Sequence, residues 1–161
     1  MTSAARDDVP EPAPPTLLYL MKQVELAVRA RLDELVRPAG LTPLQYTALT
    51  VLERHPGLTS ARLARHSFVT AQTMSDMVTL LRDRGLIERR RDPADRRRLV
   101  LALTPKGRDL LDEYRPAVAA LEDEMLSGLS AKERDRLRAA TLSCREALLG
   151  PGAPVIRFPE E

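Results

Sequence analysis

The chain has 161 residues, of which 30% are charged, 3% are aromatic and one is cysteine, and its formal net charge is only +2. The lone Cys144 excludes an intrachain disulfide framework and points to a reducing, cytoplasmic setting, while no apolar run reaches membrane-spanning length. The length suits one folded unit with appended ends.

Residues 1–15 hold four prolines and few apolar groups, which predicts a disordered tail. Its acidic, proline-rich opening does not read as a signal peptide. Leu17, Met21, Val24, Val28, Leu32 and Leu35 then recur at helical spacing, giving a first helix that stops before Pro38-Ala39-Gly40. Thr42-Pro43-Leu44-Gln45 combines an N-cap, a proline at the first helical position and a glutamine three residues after the cap, so it opens a second helix running to His55. Pro56-Gly57 ends that helix.

Thr59 caps a short third helix, SARLARHS, with Leu63 and Ala64 facing inward. After Phe68-Val69, Thr70 caps a fourth helix with Ala71, Met74, Val78 and Leu81 as its buried stripe, ending at Arg84-Gly85. Two helices joined by so short a turn, the second with polar Gln72, Thr73, Ser75 and Asp76 near its start, satisfy the requirements of a helix-turn-helix. Helical hairpins are common, so this feature alone does not establish DNA binding.

Leu86 to Arg91 and Arg98 to Leu103 suit two strands, the second with Leu99, Leu101 and Leu103 on one face. Between them Asp92-Pro93 starts a type I turn, with aspartate accepting from the backbone and proline fixing φ. The connection Asp92 to Arg97 exceeds the two-residue loop of a tight hairpin, so it protrudes. A protruding hairpin directly behind a candidate recognition helix is a wing. Thr104-Pro105 opens a long fifth helix through Leu111, Tyr114, Val118, Leu121 and Met125, which Pro116 is expected to kink. Ser130 and Glu133 form a capping box for a sixth helix carrying Leu137, Thr141, Cys144 and Leu148 on one face. The tail GPGAPVIRFPEE is expected to be mobile, with Val155, Ile156 and Phe158 available for docking. The terminal helices carry more apolar surface than one small winged unit buries, which implies a symmetric dimer through them.

Charge is unevenly placed. Thr59 to Lys106 contains eleven Arg/Lys against five Asp/Glu, and the rest of the chain fourteen against eighteen. A basic module in an acidic frame is what phosphate neutralisation needs, although a solvated face has the same composition. Arg89, Arg90, Arg96 and Arg98 are placed to meet phosphates, and an arginine at the hairpin tip fits the negative potential of a narrow minor groove. His55 and His66 are far apart in sequence and no dense metal-ligand cluster exists; His55 ends a helix, where a cation favours the dipole. Cys144, on an apolar stripe, reads as a small buried hydrophobe. No nucleophile elbow, phosphate-binding glycine loop or paired-carboxylate motif is present, which argues against an enzyme and against a cofactor.

From about Leu17 to Leu148 the chain resembles the MarR family of bacterial winged-helix transcriptional regulators. The resemblance is most specific in GLIERRRDPADRRRLVLALTPKGRDLL, where the family's wing pattern and the helix start behind it fall on Asp92, Asp95, Arg97, Leu103, Thr104 and Gly107. It implies that Arg97 enters the minor groove, that Asp95 orients the Arg97 fork, and that Thr70, Gln72, Thr73, Ser75 and Asp76 serve the recognition helix. Asp76 departs from the basic residue many relatives carry there; it would be repelled by phosphate and suits a cytosine amino group.

The expected architecture is mainly α with a small β-wing (α+β), a winged helix-turn-helix with N- and C-terminal dimerisation helices. Its expected boundaries are a tail at 1–15, a winged-helix domain at 16–149 and a second tail at 150–161. Within the domain the DNA-binding lobe covers residues 42–103 and the dimerisation helices 16–37 and 104–149. The expected function is a homodimeric repressor on double-stranded DNA with a pseudo-palindromic operator, released by a small anionic or aromatic effector. Arg31, Tyr46 and Tyr114, which join an apolar body to a polar tip, are the expected effector contacts. Two other readings fit the residues: a helical interaction module for an acidic protein, and an architectural DNA-binding protein without sequence preference.

Overall fold

The computed structural model describes residues 13–67 and 69–150. The expectations for the first twelve residues, for Phe68 and for docking of Val155, Ile156 and Phe158 lie outside the described residues. Helix α1 spans Leu17–Val36, with the Thr16 hydroxyl accepting from the Tyr19 amide at 3.2 Å. A 3₁₀ turn, Arg37–Ala39, and Gly40 in the left-handed region (φ 65°) lead into α2, Pro43–Arg54. The capping box is formed in both directions: Gln45 donates its amide N–H to Thr42 Oγ1, and Gln45 Oε1 accepts from the Thr42 amide. Helices α3, Ser60–His66, and α4, Ala71–Asp83, follow with threonine caps at Thr59 and Thr70.

Strands β1, Ile87–Arg91, and β2, Leu99–Leu103, pair antiparallel, with Ile87 opposite Leu103 and Arg91 opposite Leu99. Helix α5, Pro105–Met125, runs unbroken through Pro116, whose missing N–H leaves the Asp112 carbonyl without its helical donor. Helix α6, Ala131–Leu149, starts at Ser130, whose amide and hydroxyl both donate to the Glu133 carboxylate.

The core belongs to the winged lobe and to the ends of the helices that flank it. Leu49, Leu52, Leu63, Met74, Val78, Leu81, Leu86 and Leu101 are buried together, joined by Val36 from the end of α1 and Leu111 from the start of α5. Burial of each large aliphatic side chain stabilises by about 1.5–3 kcal/mol relative to exposure. On α4 the buried stripe is Met74, Met77, Val78 and Leu81, while Ala71 is exposed. Met77 takes the inward place because positions i, i+3, i+4 and i+7 from Met74 share one face.

On β2 the expected alternation fails at the outer end. Leu99 is exposed and Val100 is buried with Leu101 and Leu103. Leu99 pairs with Arg91 at the tip side of the wing, beyond the lobe, whereas the Leu101 amide donates to the Leu58 carbonyl at 2.8 Å and so adds a third backbone segment beside β2. Cys144 is exposed, not buried: none of the α6 side chains is buried in this chain, because α6 contributes nothing to the core of the lobe.

Candidate nucleic-acid interface

Helix α4 presents its first turns to solvent. Met74, Met77, Val78 and Leu81 anchor its inner face, which leaves Gln72, Thr73, Ser75 and Asp76 exposed on the outer one. At its start Thr70 Oγ1 accepts from the Thr73 amide at 3.1 Å and donates to Thr73 Oγ1 at 2.9 Å, so the Thr73 hydroxyl proton stays available for an outside acceptor. One turn on, Gln72 Nε2 donates to Asp76 Oδ1 at 3.0 Å. The first amides of a helix and their aligned dipoles favour a phosphate at such an end.

The wing is built from arginines held by local backbone bonds. The Asp92 carboxylate accepts from the Ala94 amide at 2.9 Å, and the Asp92 amide donates to the Arg98 carbonyl at 3.0 Å, closing the loop base. Arg91 Nη1 donates to the Arg96 carbonyl at 2.7 Å, and Arg98 stands 3.9 Å from Asp92. Arg90 is paired with Glu88. Arg89, Arg96 and Arg97 are exposed and have no side-chain ion pair among the described residues.

The expected bond between Asp95 and the Arg97 fork is corrected. Asp95 Oδ1 accepts from the backbone amide of Arg97 at 3.0 Å, and the Asp95 carbonyl accepts from the Arg98 amide at 2.9 Å. Asp95 therefore shapes the turn that projects Arg97 and leaves its guanidinium uncommitted.

Sequence reasoning did not show which contacts join the wing and α4 to the flanking helices. Arg84, at the end of α4, donates to the carbonyls of Ala39 and Gly40, the latter at 2.7 Å. Lys106 reaches the Arg84 carbonyl at 2.8 Å, and Thr104 Oγ1 donates to the Gly85 carbonyl at 2.6 Å. Gly107 is dictated by its surroundings: a Cβ there would stand 2.1 Å from the Leu86 carbonyl oxygen. The glycine at the α4 terminus was legible, but a helix stop signal says nothing of what the arginine before it reaches.

Of the expected effector contacts, Arg31 forms a bidentate pair with Glu124, at 3.0 and 2.7 Å, and lines a cavity of about 220 Å³ between α1 and α5. Tyr46 is a core residue; burial pushes its hydroxyl pKa up, more than the nearby Arg115 charge pulls it down. Tyr114 is half-buried against the same core. Neither tyrosine lines the cavity beside Arg31. A larger cavity, about 840 Å³, lies between α1, the start of α2 and the α3–α4 turn, lined by Met21, Val24, Val28, Arg29, Leu44 and Ser67 among others.

His55 and His66, distant in sequence, face each other with ring centroids 5.3 Å apart. Burial, then the neighbouring His55, lowers the His66 pKa below its ordinary value. Two imidazoles do not make a metal site, and among the described residues no group of three or more such ligands exists. No helix among them is long and apolar enough to cross a membrane.

An exposed helix start behind a short helix and turn, followed by an arginine-tipped two-stranded hairpin, defines a winged-helix DNA-binding protein. Known proteins share this plan. The MarR family model matches residues 39–98. The HTH-type transcriptional repressor Rv2887 of Mycobacterium tuberculosis is 34% identical over 128 residues, covering 80% of this chain and 88% of that protein. Among solved structures, the MarR family protein Rv2887 in complex with salicylic acid superposes with a TM-score of 0.66 at 30% identity, covering 82% of this chain and 98% of that one. The transcriptional repressor CouR, bound to a 23-mer DNA duplex, gives a TM-score of 0.71 at 32% identity, covering 81% and 92%. The chain belongs to the MarR family of DNA-binding transcriptional regulators.

Proposed function

We propose that the protein is a homodimeric repressor that binds a pseudo-palindromic operator and leaves it when a small anionic or aromatic molecule binds. The observation that carries the DNA-binding part is the pairing of an exposed α4 start with a wing whose tip bears Arg96 and Arg97, both without a side-chain ion pair among the described residues. Phosphate contacts fix the register of such a unit, and side chains at base edges supply the sequence preference. Two such units related by a two-fold axis read half-sites about one helical turn, roughly 34 Å, apart.

Dimerisation is supported by apolar surface that the single chain leaves open: Leu17, Leu18 and Leu148 are each more than three-quarters exposed. Effector control is supported by the 840 Å³ cavity, whose walls are mainly apolar with a few polar groups among them. Arg29, on its rim, pairs with Glu25 at 2.6 Å and offers a guanidinium for which an incoming carboxylate competes. Ser67 adds a buried hydroxyl without a hydrogen-bond partner among the described residues. The salicylic acid complex of the mycobacterial relative supports an effector of this chemical class.

The test is a gel-shift on DNA upstream of the protein's own coding sequence, with a scrambled competitor, repeated in the presence of aromatic carboxylates that stabilise the protein in a thermal-shift screen. Specific retardation, reversed by a stabilising compound, is the expected result. Binding that ignores the competitor's sequence favours an architectural protein, and absence of DNA binding favours a module for an acidic protein. A compound that raises the melting temperature yet leaves operator affinity unchanged refutes effector coupling.

A further inference from the structure

Asp76 is anomalous on a surface that faces phosphates, and the fold gives it a partner. Its Oδ1 takes a hydrogen from Gln72 Nε2 at 3.0 Å, one helical turn toward the N-terminus, with both side chains exposed. A carboxylate only accepts, whereas a glutamine amide has an accepting oxygen and a donating nitrogen. Asp76 therefore decides which way the Gln72 amide is turned. The nitrogen faces Asp76 and spends one hydrogen there; Oε1 and the second N–H remain for an outside group.

We infer that Asp76 is a positioning residue that makes Gln72 read adenine in the major groove. The inference rests on the DNA-binding reading above. Adenine presents a donor, N6–H, beside an acceptor, N7, and the oriented amide meets them with one acceptor and one donor. Guanine presents two acceptors, O6 and N7. A free amide can satisfy them with its two hydrogens, but one is held by Asp76, and Oε1 or the carboxylate then opposes a lone pair. Thus one side chain orients the reader and also penalises guanine. The same negative charge lowers affinity for phosphate, so the position trades strength of binding for discrimination.

The experiment uses the full chain and three variants, Gln72→Ala, Asp76→Ala and Asp76→Asn. Each is taken through selection from randomised duplexes, then fluorescence anisotropy on the selected operator with each of the four base pairs at every position. The wild type is expected to prefer adenine over guanine by about 5- to 150-fold at one position per half-site. Gln72→Ala removes that preference and leaves the other positions unchanged. Asp76→Ala and Asp76→Asn bind the selected operator at least as tightly as the wild type, but their adenine-to-guanine ratio at that one position falls to within about 3-fold, because the amide then turns freely. Asn differs from Asp in charge and in its ability to donate, so loss of discrimination in that variant identifies orientation by the carboxylate. Circular dichroism melts should be unchanged, as the residue is exposed. An undiminished adenine preference in Asp76→Ala or Asp76→Asn, or a preference that survives Gln72→Ala, overturns this inference alone. A wild-type protein that selects no sequence overturns it together with the reading on which it rests.

Discussion

At the wing, a chain of short-range bonds fixes the path of the backbone while leaving the guanidinium of Arg97 to an outside anion. Arg97→Ala is therefore expected to weaken operator binding about 10- to 100-fold, the worth of one charge-assisted hydrogen-bonded pair, with an unchanged melting temperature. Asp95→Ala should weaken it less, through a loosened turn. Arg96→Ala should lower affinity for specific and random duplexes alike, reducing the salt slope by about 0.9 for each phosphate that is no longer neutralised. Anisotropy titrations across a salt series check all three, and an Arg97→Ala protein with normal operator affinity removes the wing from the mechanism. The charge pattern of the wing was legible in the sequence, since two aspartates and an arginine run in a turn have few other uses. The atom that Asp95 grips was not. A spacing of two residues serves the fork and the backbone amide equally well, and the local turn won.

Helix starts were the most legible elements, because a cap is decided by three or four adjacent residues: Thr42, Thr59, Thr70 and Thr104 each accept from an amide three residues on. The joints between elements were not legible, since they depend on residues distant in sequence. Gly107 shows the difference. It stands in a motif that suggests a helix start, yet it is glycine because α5 passes so close to Leu86 that the carbonyl leaves no room for a methyl group. Gly107→Ala is expected to cost about 1–3 kcal/mol, the range for overpacking, and denaturant unfolding should show a lower midpoint at constant slope. Full stability in that variant would mean that the α5 start can shift. The short helix α3 carries a second prediction. His66 has its pKa lowered in the folded chain by burial and by His55, so the unfolded chain binds the proton more readily. Stability should then be complete above the ordinary value of 6.5 and decline as pH falls through 6.5 toward the lower folded value. A His66→Gln chain should lose part of that slope, and an NMR titration of the His66 ring with a midpoint above 6.5 would contradict the premise.

The whole molecule divides into a lobe that holds its own core and helices that do not. Among the described residues, every buried hydrophobic side chain lies between Val36 and Leu111. The first half of α1 and all of α6 contribute nothing to that core; they carry the open side chains Leu17, Leu18, Met21, Leu142 and Leu148 instead. Composition and periodicity showed this excess, but not which residues would meet in the proposed dimer, because one chain's pattern contains no information about register against a copy. Apolar patches of this kind on a DNA-binding regulator are normally an interface, and obligate dimers bury about 2,000 Å² or more. Sedimentation should show a dimer at micromolar concentration. A double substitution, Leu18→Asp with Leu142→Asp, places charges where the dimer would desolvate them and should give monomers, while the lobe keeps its helicity because neither residue belongs to its core. Its operator affinity should fall by about 10²- to 10⁴-fold, since the second half-site is no longer presented at high effective concentration once the first is bound. The reduction on an isolated half-site should be small, as each lobe carries its own α4 and wing. If the substituted chain is monomeric yet binds the full operator as the wild type does, the two lobes act independently and the α1 and α6 faces serve some purpose other than holding two readers at one spacing.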